Sequence, residues 1–329
     1  MAPNKRGGPQ RGTDSSVLSA EEIAARGCGT DEGEGTDSYD GSLAAEVRVF
    51  FTGLMFLTRL PVPAGTDHHP TYLMRSTMYF PLIGAVVGLW GAVFYEAGTV
   101  LWSPAVAAGA SLLATVWLTG CFHEDGMADC IDGFGGGWGK AQILRIMRDS
   151  RVGTYALVGM AVLLQIKGAA VAALPGPATA MIVAHCVCRW PSLPLLHWCT
   201  YLEDDEHAKS GMYNWMARSQ RLITIPRMLF GTACALAVPA ALLGAHGTLV
   251  VSATVLAVTA AAIYYSNAIL GGVVGDYIGA TIQATEIAVY LALGADWGAV
   301  ARGGWRPLAT LFGAVLVPVA WTRRIVDFC

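Results

Sequence analysis

Between Thr119 and Gly139 the chain reads TGCFHEDGMADCIDGFGGGWG, a dense set of carboxylates placed directly after an apolar run. Asp125, Asp129 and Asp132 stand at i, i+4 and i+7, so an α-helix projects them from one face. Such a face suits a hard divalent cation. Mg²⁺, with Mn²⁺ as a substitute, prefers oxygen ligands and takes one or two carboxylates per ion, leaving positions for water and a substrate phosphate. An acidic, solvated loop is the plain alternative, but carboxylates at a membrane edge are costly unless used. Gly126 and Gly133 each follow an aspartate, and Gly135, Gly136 and Gly137 end the segment where the backbone is expected to bend or to approach something closely, a phosphate included. His123, whose ordinary pKa lies near neutral, or a spare carboxylate is the candidate acceptor for the proton of an attacking hydroxyl.

The next stretch, ILRIMRDSRVGTY, sets Ile143, Leu144, Ile146 and Met147 against Arg145, Arg148 and Arg151. Guanidinium groups present paired donors that stay protonated, which suits phosphate. Basic residues beside an apolar crossing are also a topology signal, and the two readings are compatible. Further on, Lys167 and Arg189 fall within apolar runs, where a charge is expected to face the bundle interior or, for Lys167, to snorkel outward. GGVVGDYIGATIQATE adds Asp276 and Glu286 to a glycine-rich segment that a tight helix pair alone does not explain.

The elements that carry these residues are membrane helices. Of 329 residues 54% are hydrophobic and 14% charged, against about 25% charged in an ordinary soluble domain. A net charge of -3 and the lack of a basic stripe give nucleic acid no purchase. Eight cysteines without a CxxC pair point to a reducing, cytoplasm-facing setting. Residues 1–41 are polar, read as a disordered tail without a signal peptide, and 42–329 form a membrane-embedded domain. Within it, Ser42 to Leu60 is expected to lie in the interface, ended by Pro61 and Pro63. Crossings are expected at Tyr79–Trp102, Ala105–Gly120, Thr154–Leu174, Ala178–Trp198, Met228–Leu243, Thr248–Leu270, Ile278–Leu293 and Pro307–Trp321, the last two less well defined. The fold class is thus all-α, a polytopic bundle of about seven or eight spans with an interfacial N-terminal helix. Lys140, Arg145, Arg148 and Arg151 on the acidic loop, against uncharged turns at Pro104, Pro175 and Gly247, place that loop on the cytoplasmic side of the inner membrane.

A cluster of hard carboxylates, glycine-rich backbone and arginines at the mouth of a helical bundle suits metal-assisted transfer at phosphorus. FLTRLPVP, RSTMYFPLIGAVVG, HEDGMADCIDGFGGG, IMRDSRVGTYA and GGVVGDYIGA with the later Glu286 resemble, in order, the motifs of the cobalamin synthase (adenosylcobinamide-GDP ribazoletransferase) family, from about Phe50 to Glu286. The resemblance implies an integral membrane enzyme of late cobalamin biosynthesis that requires Mg²⁺. It transfers the cobinamide-phosphate of adenosylcobinamide-GDP to α-ribazole or its 5′-phosphate, releasing GMP, beside other cobalamin-assembly enzymes. Matched onto the motifs, Asp125, Asp129 and Asp132 are the implied metal ligands and catalytic set with His123. Arg145, Arg148, Asp149, Ser150, Arg151, Lys167, Arg189, Asp276 and Glu286 are the implied substrate-binding residues. Val274 stands where the family usually has Thr, and Lys209 where an Arg often precedes the small residue and glycine of the second polar loop. Neither departure touches the aspartates.

Two rivals remain at this stage. A CDP-alcohol phosphotransferase would also set acids at a cytoplasmic face, but its first DG is followed by AR, and here Ala128 precedes Asp129. An ion-coupled transporter could use Lys167, Asp276 and Glu286 as a pathway, yet the chain shows no pair of related halves.

Overall fold

The protein is described by a computed structural model covering residues 38–202 and 219–298. The polar tail to residue 37, most of the second polar loop with Lys209, and the expected last crossing with Arg302 and Arg306 lie outside the described residues. From Tyr39 onward the described residues belong to one compact unit.

That unit is helical, and among the described residues the β-structure is a single parallel bridge between Tyr201 and Val273. The helices are α1 (Leu43–Leu57), α2 (Pro70–Ser76), α3 (Phe80–Leu101), α4 (Pro104–Thr119), α5 (Phe122–Gly136), α6 (Lys140–Met147), α7 (Thr154–Ala173), α8 (Pro177–Val187), α9 (Ser192–Trp198), α10 (Ile225–Ile269) and α11 (Gly275–Gly294). Several starts follow from local chemistry. Ser42 Oγ accepts from the Ala45 amide, and prolines occupy the first turns of α2, α3, α4, α8 and α10, where a missing N–H costs nothing.

Three helical stretches are long and apolar enough to cross a bilayer, Pro70–Leu101, Thr154–Ala173 and Ile225–Ile269, and a fourth arises if α4 and α5 are joined across their 94° bend. Large apolar side chains such as Leu89, Val93, Leu113, Trp117, Leu157 and Leu249 stand exposed on the outer faces, an arrangement that water would penalise and lipid would not. The chain is therefore an all-α membrane protein. Of the other expected crossings, the fourth is divided between α8 and α9 at Cys188 to Pro191, and α11 has the length but is interrupted by Asp276, Gln283 and Glu286. The fifth and sixth are the two limbs of α10, which breaks at Gly244 with φ 68° and ψ -172°. A left-handed φ of this kind favours glycine. Ala235 and Leu236 of one limb line the same apolar cavity as Val251 and Val255 of the other.

Small residues set the closest helix contacts. A Cβ on Gly84 would lie 2.0 Å from the His185 carbonyl oxygen, and one on Gly88 would lie 2.4 Å from that of Met181, so α3 and α8 touch backbone to backbone. Most of α7 faces outward; its buried residues are Ala156, Lys167 and Val171, a single inward stripe. At the other end, the expected interfacial helix α1 is tied down by Glu46, whose Oε1 accepts from Arg227 Nη2 at 2.7 Å and from the Tyr39 hydroxyl.

Candidate active site

The acidic segment is a helix, α5, set at 94° to α4 by two successive left-handed residues, Gly120 (φ 68°) and Cys121 (φ 65°). The first is a helix-ending glycine; the second is a non-glycine residue in a conformation that costs about 1–2 kcal/mol. Arg59 braces the corner. Its amide donates to the Leu118 carbonyl at 2.7 Å, and its guanidinium fills the space where a Gly120 side chain would begin. We read α4 as part of the membrane bundle and α5 as running along its mouth.

The acids of α5 differ in how far they are covered. Asp125 is exposed and Asp129 half-buried, whereas Glu124 and Asp132 are buried. Asp276, at the start of α11, comes alongside because Gly126 has no side chain: a Cβ there would lie 2.8 Å from the Asp276 carbonyl oxygen. Burial, then the charges of Asp276, Asp125 and Asp132, pushes the Asp129 carboxyl up to about 7. Burial, then the charge of Asp125, pushes the Asp276 carboxyl up to about 6, a shift that Arg148, an exposed residue at the end of α6, opposes, and Lys140 Nζ reaches the edge of Gly271. Arg145 and Ser150 are exposed nearby in the chain. Asp149 holds Arg151 through a two-pronged pair, with Nη2 to Oδ2 at 2.5 Å and Nε to Oδ1 at 2.9 Å, and the guanidinium lowers the Asp149 carboxyl to about 2.

Asp132 has a different occupation. Its Oδ2 accepts from the Gly153 amide at 2.6 Å and its Oδ1 from the Ala156 amide at 2.9 Å, so it caps the start of α7. Gly153 makes room, since a Cβ there would lie 2.6 Å from Oδ1. The trailing glycines also serve packing. The helix runs on through Gly136 instead of bending at Gly135, because the ring of Tyr155 lies against Gly135, and Met147 and Ile143 of α6 pack on Gly133 and Gly137.

His123 turns inward. It is 2% exposed, and the charged groups that act on it are Arg189, Glu286, His185 and Lys167 rather than the outer aspartates. Those residues form a sealed polar group. Lys167 Nζ meets Glu286 Oε1 at 2.8 Å and donates to Gln283 Oε1 at 3.2 Å. Gln283 Nε2 donates to Glu124 Oε1 at 2.9 Å, and His185 Nε2 lies 3.3 Å from Glu286 Oε1. Arg189 Nη1 donates to the His185 carbonyl at 2.7 Å. Lys167 therefore does not snorkel. Among the described residues, His185, Cys188 and Glu286 bring three possible metal-ligand atoms within 4.8 Å of one another, and the aspartates are not so gathered. The inner trio does not suit a metal: the Lys167 ammonium already occupies Glu286, and Arg189 Nη1 lies 3.6 Å from Cys188 Sγ.

Sequence reasoning missed Glu124, Lys140, His185 and Gln283. Gln283 with Glu286 at i, i+3, and His185 with Arg189 at i, i+4, were visible as polar pairs on otherwise apolar helices. Lys140 gave no signal beyond its charge.

The profile of the cobalamin-5-phosphate synthase family matches residues 49–294, which run from within α1 to the end of α11 and include all of α5. The chain belongs to that family. Curated relatives in it include the adenosylcobinamide-GDP ribazoletransferase of Leptothrix cholodnii, 38% identical over 76% of this chain and 96% of its own length. Proteins of the same name from Shewanella amazonensis and Ralstonia nicotianae are 32% and 34% identical over 77% and 75% of this chain, and 96% and 95% of their own lengths. No solved structure matches the chain. The family membership leaves the rival CDP-alcohol phosphotransferase and transporter readings without support.

Proposed function

We propose that this protein is an adenosylcobinamide-GDP ribazoletransferase of the inner membrane, with the mouth formed by α5, α6 and the start of α11 facing the cytoplasm. Its substrates on this reading are adenosylcobinamide-GDP and α-ribazole or the 5′-phosphate of α-ribazole. The observation that carries it is the meeting of Asp125, Asp129 and Asp276 at one mouth, where burial and then the neighbouring carboxylates push the Asp129 carboxyl up, in a chain of this family.

These residues fit a Mg²⁺ or Mn²⁺ ion, because the donors are hard oxygens and their mutual repulsion is what a divalent cation relieves. Asp125 and Asp129 would hold it, with Asp276 completing the set; Asp132, though an implied ligand, supports the others by anchoring α7. A bound ion supplies charge neutralisation at the phosphate oxygens. Arg148 and Lys140 take up the remaining phosphate charge, and Arg145, Ser150 and the Asp149–Arg151 pair line the approach. The ribazole hydroxyl oxygen bonds to the cobinamide-linked phosphorus while the phosphoanhydride bond breaks and GMP departs. With His123 turned inward, the proton passes to an outer carboxylate. Lys167, Arg189 and Glu286, sealed in the bundle, support the mouth from within.

The test is GMP release from adenosylcobinamide-GDP and α-ribazole by enzyme in liposomes, with and without Mg²⁺. Asp129→Asn should insert and melt like the parent yet lose at least about 100-fold in turnover, the upper range for disturbing a metal's immediate support. Parental turnover in that variant would remove the metal assignment.

A further inference from the structure

The sealed polar group links the membrane interior to the acidic helix through one neutral side chain. Gln283 is 2% exposed and stands between Lys167 of α7 and Glu124 of α5. Its orientation is fixed by its neighbours: the lysine ammonium has only donors, so it must face Oε1, and the carboxylate has only acceptors, so it must face Nε2. Beyond Lys167 the chain of contacts runs to Glu286 and then to His185 of α8. Four helices are therefore joined by contacts of 2.8 to 3.3 Å in a region closed to solvent.

Glu124 directly precedes Asp125. One residue is 100° of rotation on an α-helix, so a tether on Glu124 fixes the direction in which Asp125 and Asp129 face. We propose that Gln283 is a positioning residue: it holds Glu124 inward and so sets the rotation of α5 that presents Asp125 and Asp129 beside Asp276. This rests on the metal-binding reading of that mouth for its effect on catalysis, but not for its effect on α5. Gln283 touches neither mouth nor substrate and acts only through Glu124.

A charge swap tests it. Gln283→Glu keeps an acceptor for Lys167 but sets two carboxylates against each other. The double variant Glu124→Gln with Gln283→Glu restores one amide and one carboxylate, with donor and acceptor exchanged. Three readouts are taken: hydrogen exchange over residues 122–136 in metal-free enzyme, Mn²⁺ binding by electron paramagnetic resonance, and the Mg²⁺ dependence of GMP release. Gln283→Glu should speed exchange and weaken both metal measures by about tenfold, the lower range for outer-shell changes, with little change in the KM for adenosylcobinamide-GDP. The swap should bring all three most of the way back. Parental behaviour of Gln283→Glu, or no recovery in the swap, overturns the proposal. Should Gln283→Glu give no folded enzyme, a folded swap with parental exchange supports it and an unfolded swap overturns it. The exchange result is independent of any metal, so it stands even if Asp129→Asn shows the metal assignment to be mistaken.

Discussion

At the scale of single residues, the acids of α5 divide by what surrounds them. Among the described residues Asp125 and Asp129 accept no side-chain hydrogen bond, Glu124 accepts one from Gln283, and Asp132 accepts two from amides at the start of α7. Removing the Asp132 carboxylate strands two amides at the foot of a membrane helix. Asp132→Ala should therefore lose roughly 2–3 kcal/mol of stability, at about 1–3 for each buried donor left unmade less some relaxation. A thermal melt in detergent checks this, and Asp132→Asn, which keeps one acceptor, should fall between. Mn²⁺ binding by Asp132→Asn well below its melting temperature should match the parent; lost binding there would make Asp132 a ligand after all. The sequence pattern made the three aspartates look equivalent because periodicity tells which residues share a helix face, not what that face meets. The burial of His123 was hidden for the same reason: it is one residue from Glu124, and only the position of α11 decides that both point inward.

At the scale of elements, the apolar runs were legible because length and hydropathy alone define a crossing. Tyr79–Trp102 is α3 within a residue at each end, and Thr154–Leu174 is α7. The break of the fourth crossing at Arg189, Trp190 and Pro191 was legible as well and divides α8 from α9, but the fold of Arg189 back onto the His185 carbonyl was not. Nor did the glycines of α3 announce a partner. Gly84 and Gly88 are spaced for a close helix contact, yet many helices could have supplied it. Since α8 presents backbone oxygens within 2.0 and 2.4 Å of the missing side chains, the neighbour cannot yield by a rotamer change. Gly88→Ala should cost at least about 1–3 kcal/mol through overpacking, and Gly88→Leu should abolish a monodisperse, helical preparation. Size-exclusion profiles and circular dichroism of the two variants are the measurement.

For the whole molecule, the mouth is built by helices attached to one another through the protein's own groups. The angle of α5 comes from Gly120 and Cys121, its Glu124 is held by Gln283 and its Asp132 by the amides at the start of α7, and α11 reaches it over Gly126. Chelation of divalent cations should accordingly stop GMP release while leaving helix content unchanged and the melting temperature within a few degrees. Restored Mg²⁺ should return activity without a slow refolding phase. Loss of helical signal on chelation would mean that the ion is structural.

The corner between α4 and α5 has a practical consequence. Cys121 is exposed there, whereas Cys130, Cys186, Cys188 and Cys199 are buried and Cys234 is partly covered. Its backbone twist, not its sulfur, turns the chain, so the thiol is free to carry a fluorescent label. In a variant with Cys28 and Cys329 replaced, a dye attached there would sit a few residues from Asp125 and would test optically whether an ion or a nucleotide arrives, without any acidic group of the mouth being altered.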